Sequence, residues 1–197
     1  MKALTQLLAA LLRAFNSPAE LSPDGKRLKG LPIVYRGNDK LPYGVTATRK
    51  KKPIKGLIIH HPASAKGAGV AGLISYINKP RPPKGYMFGY HFVIDTDGTI
   101  YQAAPFTKRT NHIQGSSYRT SAKHLTNVNT IGISFHQASH NPGMAPNAKQ
   151  TKAGRQLVRA LRQVYGPLDI FGHGEIQSDK QPNEGLAFAR LARGDGK

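Results

Sequence analysis

The chain has 197 residues, with 29 Lys+Arg against 10 Asp+Glu, a formal net charge of +19 and 39% hydrophobic residues. This composition excludes a wholly disordered chain; the absence of any run of about 18 apolar residues excludes a spanning helix; and the absence of cysteine excludes disulfide scaffolds, thiolate clusters and a Cys nucleophile. The charge calls for an anionic partner, whether nucleic acid, anionic lipid, lipopolysaccharide or a wall polymer.

Leu4, Leu7, Leu8, Leu11, Leu12 and Phe15 recur at helical spacing and predict an amphipathic helix. It ends at Ser17-Pro18, because the residue before proline is pushed out of the α region. The uninterrupted apolar part, Leu7 to Leu12, is short for a signal-peptide core, and no small-residue cleavage site follows closely. The expectation is a chain made in the cytoplasm. Its N-terminal helix (1–21) either packs on the following domain or lies on anionic outer-membrane lipid. Residues 22–55 hold Pro23, Gly25, Gly30, Pro32, Gly37, Pro42, Gly44 and Pro53, and end in the run Arg49-Lys50-Lys51-Lys52. They read as a loop-rich basic extension.

Residues 56–197 read as the main domain. Gly56-Leu57-Ile58-Ile59 is a buried strand ending at His60-His61. Val70 to Asn78 is a helix with Val70, Leu73, Ile74 and Ile77 on one face. Phe88–Ile94 and Thr99–Gln102 are strands joined by the turn Asp95-Thr96-Asp97-Gly98, where glycine supplies positive φ. Thr130–Phe135 is a second buried strand, Thr151–Tyr165 an amphipathic helix, Leu168–Phe171 a short strand ending at Gly172-His173, and Leu186–Leu191 a last helix. Alternating strands and helices predict an α/β fold, a central mixed β-sheet flanked by helices.

Chemistry-bearing residues gather at strand ends, where α/β folds place their sites. They are His60-His61, Gly89-Tyr90-His91-Phe92, and Gly172-His173-Gly174-Glu175 with the following Lys180 and Asn183-Glu184-Gly185. Two histidines from different strand ends can supply half of a tetrahedral zinc site.

Five stretches occur in one order: Leu57 to His61, Gly89 to Ile94 with Asp97 to Ile100, Gln102 to His112, Asn129 to Ile133, and Gly172 to Ile176. Together they resemble the zinc-dependent N-acetylmuramoyl-L-alanine amidases, the family of short phage lysozyme-amidases, anhydro-muropeptide amidases and peptidoglycan-recognition proteins. The resemblance covers about residues 55–193 and implies an enzyme that uses Zn2+ to cut the amide between muramic acid and L-Ala of the peptidoglycan stem. It implies His60 and His173 as zinc ligands, with His61 a neighbour placed for substrate. Some members carry a Glu in the Ile-Gly-Ile-Glu stretch, where this chain has Ser134. Others pair a Tyr with a Lys, which matches Tyr90, to orient or deprotonate water, and Lys180, to stabilise the oxyanion. His112, with Lys108 and Arg109 beside it, matches a substrate-facing segment; arginine suits stem-peptide carboxylates.

The chain departs from the family at the third ligand, usually an Asp or Cys two residues after the Lys. Here Pro182 stands there, without a side-chain donor. The expected third ligand is Glu184, the nearest anion, and Asn183 is the alternative on alignment to Gly185. Glu175 is expected to serve as an acceptor behind the ligands or as a helix-start group. The resemblance favours a phage endolysin or antibacterial lysin acting on peptidoglycan, with a non-catalytic peptidoglycan-binding module as the alternative. Aromatic content of 8% and the absence of a nucleic-acid motif argue against a nucleic-acid partner.

Overall fold

Strands that are apolar on both faces must be covered on both, and the fold is organised by two of them. The computed structural model describes residues 18–37, 53–61, 69–77, 89–114, 118–119, 122–137 and 141–195. Its elements are β1 (Glu20–Leu21), β2 (Leu28–Lys29), β3 (Ile33–Tyr35), β4 (Gly56–His60), α1 (Gly69–Ile77), β5 (Phe92–Ile94), β6 (Ile100–Gln102), β7 (Thr130–Phe135), α2 (Ala148–Tyr165), β8 (Asp169–Gly172), α3 (His173–Ile176) and α4 (Leu186–Arg193). Every residue of β4 and of β7 is buried. The helix expected over Leu4–Phe15 and the run Arg49–Lys52 lie outside the described residues.

The six-stranded sheet has the order β3-β6-β5-β7-β4-β8. β5 and β6 pair antiparallel through the Asp95–Gly98 turn, where Gly98 takes φ +89°. All the other neighbours are parallel. Alternation along the strands divides the apolar residues. Leu57, Ile59, Phe92, Ile94, Ile131, Ile133 and Phe135 join the core that includes Leu157 and Leu161 of α2 and Phe188 of α4. On the opposite face Val93 packs with Val70, Leu73 and Ile74 of α1, and Ile58 with Ile113, Ala122, Leu125 and Ile176. This is the mixed sheet with flanking helices that the element order predicts. Among the described residues no helix is long and apolar enough to cross a membrane.

The boundaries differ in instructive places. The helix expected from Thr151 begins at Ala148, because Asn147 caps it: its side chain accepts the Gln150 N–H, and the Gln150 side chain returns to the Asn147 N–H. The stretch 22–55 is not loop throughout. β2 pairs back onto β1, which lies at Glu20–Leu21 in the segment expected as the N-terminal helix (1–21), and Ile33-Val34-Tyr35 adds an edge strand to the sheet against β6. That run is β-branched and aromatic, but its three residues are too short to stand out among the surrounding prolines and glycines. Ala19 N–H donates to Gln163 of α2 at 3.1 Å, and Leu28 N–H to Gln102 at 3.0 Å, so this segment is docked on the domain. Of the strand expected over Phe88–Ile94, Phe88 lies outside the described residues; among the described ones the regular part is Phe92–Ile94, and His91 N–H still bonds the Gly132 carbonyl of the neighbouring strand.

The C-terminal ends of β4 and β8 are closed by the loop 177–185. Gly185, at φ +71°, ends that loop against β4; a Cβ there would sit 2.0 Å from the Ile59 carbonyl oxygen. Neither the left-handed backbone nor that approach admits a side chain. Gly185→Ala is therefore expected to cost at least about 2 kcal/mol of stability, read as a lower urea midpoint at unchanged slope. A wild-type midpoint would contradict this packing.

Candidate functional site

Parallel pairing of β4 with β8 matches Ile59 to Gly172. The next residue on each strand, His60 and His173, therefore leaves the same end of the sheet side by side, with ring centroids 4.3 Å apart. His60 shares the face of Ile58, and His61 falls on the other. α3 starts at His173 because Glu175 accepts the Gly172 N–H at 2.7 Å, the helix-start role expected of it, while Arg193 grips the same carboxylate through two nitrogens at 2.9 and 3.0 Å.

The loop after α3 brings in the third group. Glu184 is tied by its own carbonyl to the Gly174 N–H at 3.1 Å, and its N–H donates to the Gln181 carbonyl at 2.9 Å. Its Oε1 lies 2.8 Å from His173 Nδ1 and 3.8 Å from His60 Nδ1. One ligand atom from each of His60, His173 and Glu184 lies within 4.8 Å of the others. Asn183 is turned elsewhere and packs over Gly143, where an added Cβ would stand 2.1 Å from its amide nitrogen.

Burial and the neighbouring His173 push His60 down to about 4, against the pull of Glu184, so the ring is neutral at physiological pH. Burial alone would raise the Glu184 carboxyl, but the two imidazoles outweigh it and hold the group below the usual carboxylate range. Tyr90, its ring 4.8 Å from that of His60, has its phenol pushed above the ordinary value by burial, with the Glu184 charge adding to the effect. It holds its proton at neutral pH. Lys180 pairs with Asp179 at 3.4 Å, and its charge is felt at His60. Ser134, in register with His60, has a buried hydroxyl with no hydrogen-bond partner, beside the histidine cluster.

Behind the cluster lies a set of polar contacts. His60 Nε2 is 3.1 Å from His112 Nδ1, His112 Nε2 is 3.1 Å from Thr130 Oγ1, and the Thr130 hydroxyl donates to the Thr126 carbonyl at 2.7 Å. His173 Nε2 is 2.7 Å from Gln177 Oε1. His112 is thus buried against His60, outside the group formed by His60, His173 and Glu184. His61 does not join the cluster either: it is buried on the opposite sheet face with Nε2 2.8 Å from Gln137 Oε1, the consequence of strand alternation. Lys108 and Arg109 are half-buried on the segment leading to His112, and the Lys108 carbonyl meets His91 Nε2 at 3.1 Å. Gln177, Thr130 and Asn127 escape a reading of the sequence. Only the i, i+4 spacing of His173 and Gln177 on a helix hints at one of these contacts.

Two imidazole nitrogens and an ionised carboxylate in an enclosed pocket form a donor set suited to zinc, which takes nitrogen and anionic oxygen from three protein ligands in catalytic sites. The neutral state of His60 and the ionised state of Glu184 are those that ligation requires.

Comparison with solved structures shows the same fold in proteins of low sequence identity. The endolysine N-acetylmuramoyl-L-alanine amidase LysCS from Clostridium intestinale URNW is 19% identical, with a TM-score of 0.60 over 82% of this chain and 95% of that one. Drosophila peptidoglycan recognition protein SD is 20% identical, with a TM-score of 0.56 over 80% of this chain and 91% of that one. Human PGRP-IβC, solved in complex with glycosamyl muramyl pentapeptide, is 20% identical, with a TM-score of 0.57 over 81% of this chain and 94% of that one. No curated protein matches in sequence. The model of the Amidase_2 family, N-acetylmuramoyl-L-alanine amidase, matches residues 50–184, a span that holds His60, Tyr90, His173, Lys180 and Glu184. With both the fold and that match in place, the chain belongs to the N-acetylmuramoyl-L-alanine amidase family.

Proposed function

We propose that this protein hydrolyses the amide between the lactyl group of N-acetylmuramic acid and L-Ala of the peptidoglycan stem peptide, at a zinc centre held by His60, His173 and Glu184. The convergence of those three side chains at the end of the sheet carries this reading. The chemistry zinc supplies when bound is polarisation of an amide carbonyl and activation of water near neutral pH.

The remaining roles fall to the chain's own groups. The Glu184 carboxylate offsets positive charge in the pocket. Tyr90 keeps its proton and orients the water or the scissile group by donating a hydrogen bond. Attack by water forms the C–O bond and puts negative charge on the carbonyl oxygen, which Lys180 stabilises; the charge then returns to the carbonyl as the C–N bond breaks, and the proton lost by the water ends on the departing L-Ala amine. Ser134, where some family members carry Glu, has no basicity to act as a proton acceptor at neutral pH, so Tyr90 and Lys180 carry the assisting roles. The basic composition and the likeness to a clostridial endolysine support a lysin acting on the bacterial wall. A recognition module that binds muropeptide without cutting it is the alternative, favoured by the likeness to recognition proteins.

Purified muropeptides incubated with the protein, with and without chelator, and followed by mass analysis decide between these readings. His173→Ala and Glu184→Gln should lose tightly held zinc and release of stem peptides together, and chelation should do the same to the wild type. Full-rate release from chelated protein would sink the metal reading. Binding of muropeptide with no release from the zinc-loaded wild type would establish the recognition module.

Tyr90→Phe should retain zinc while slowing turnover at least tenfold, since a positioned acid–base or donor group contributes about 100- to 10,000-fold. Steady-state release of stem peptide measures this. A Phe variant at wild-type rate removes Tyr90 from the mechanism.

A further inference from the structure

His60 and His173 both turn Nε2 away from Glu184, and both of those nitrogens are governed by one short stretch of chain, residues 112–114. We propose that this stretch fixes a hydrogen on Nε2 of both histidines, so that Nδ1, the nitrogen facing Glu184, is the one each ring can give to an ion. The proposal rests on the reading of this cluster as a zinc centre.

The first arm runs from a backbone carbonyl to His60. The Thr126 carbonyl can only accept, so the Thr130 hydroxyl proton goes to it, across 2.7 Å. The Thr130 oxygen is then left to accept, and the atom facing it at 3.1 Å is His112 Nε2, which must carry a hydrogen. A neutral His112 protonated there has its lone pair on Nδ1, which takes the Nε2–H of His60 at 3.1 Å. The Nδ1 of His60, facing Glu184, is left bare.

The second arm uses an amide whose orientation is fixed. The Gln177 side-chain nitrogen donates to the Gln114 carbonyl at 2.5 Å, and its oxygen accepts the Gln114 N–H at 3.0 Å. That oxygen also faces His173 Nε2 at 2.7 Å, so Nε2 carries a hydrogen and Nδ1, 2.8 Å from Glu184, is the nitrogen left for an ion. Without an ion, a hydrogen between Nδ1 and the Glu184 carboxylate satisfies that contact, and a bound ion takes its place. The stretch is itself clamped by Asn127. The Asn127 side-chain oxygen accepts the N–H groups of His112 and Ile113 at 3.0 and 2.8 Å, and its nitrogen donates to the Ile113 carbonyl at 2.7 Å. His112 and Gln177 are therefore positioning residues: neither offers an atom to the ion, and each fixes the ring that does.

The test uses the full chain and zinc alone. In the metal-free wild type, long-range 15N–1H correlation of the histidine rings should show a hydrogen on Nε2 of both His60 and His173. Zinc affinity, measured by competition with a chromophoric chelator, should fall about tenfold to a hundredfold in His112→Phe and in Gln177→Leu. Gln177→Glu, which keeps an acceptor facing His173, should recover most of that loss. Should His112→Phe fail to fold, the wild-type spectrum and the Gln177 pair still decide the matter. A bare Nε2 on either ring in the wild type, or unchanged zinc affinity in the folded variants, would overturn the proposal. A wild type that binds no zinc would overturn the zinc reading beneath it instead.

Discussion

Parallel pairing of β4 with β8 places two histidines from distant parts of the chain within contact, and the rest of the site depends on it. The match of Ile59 to Gly172 makes His60, the last residue of β4, and His173, the first beyond β8, the next residue on each side. Parallel strands end together, so neither side chain needs a loop to reach the other. Pairing on the other side, with β7, buries β4 completely and sets its alternation, so that His60 faces the site and His61 faces away.

Enclosure gives this arrangement its chemical character. A buried imidazole resists protonation and a buried carboxylate resists ionisation, yet here His60 is held neutral while Glu184 is held ionised. The difference lies in the partners. Glu184 meets two imidazoles, and its carbonyl is fixed to the helix that bears one of them. A loop tied through both backbone and side chain places its carboxylate more narrowly than a surface carboxylate could be placed. Tyr90 is governed by the same enclosure: the phenol that touches His60 keeps its hydrogen, which suits it to donate rather than abstract.

Much of this was legible in the residues. Apolar runs such as Leu57–Ile59 and Thr130–Phe135 announce buried strands whatever surrounds them, and Gly98 marks its turn. The order of His60, Tyr90, His173 and Lys180 was visible as well, and Glu184 stood out as the nearest anion after Lys180. What remained hidden depends on the third dimension. β3 is three residues long and gains its stability from an existing sheet edge, so its local pattern is weak. His112 reads as a lone polar residue beside two cations until β7 brings Thr130 against one side of its ring and β4 brings His60 against the other. Gln177 is an ordinary glutamine until Gln114 fixes its amide. Which face a side chain joins follows from strand parity, whereas which hydrogen bond it makes follows from the whole fold.

The strand order also dictates when the cluster can exist during synthesis. β4 lies between β7 and β8, yet both follow it in the chain, β8 by most of the domain's length. A ribosome adding about 5–20 residues per second exposes β4 for seconds before either neighbour emerges. Through that interval a strand that is wholly buried in the finished fold has two unpaired edges, and His60 has no partner from β8 or the loop beyond it. The last quarter of the polypeptide thus completes the core and the ligand set in one step, and a nascent chain that stops short of it has neither.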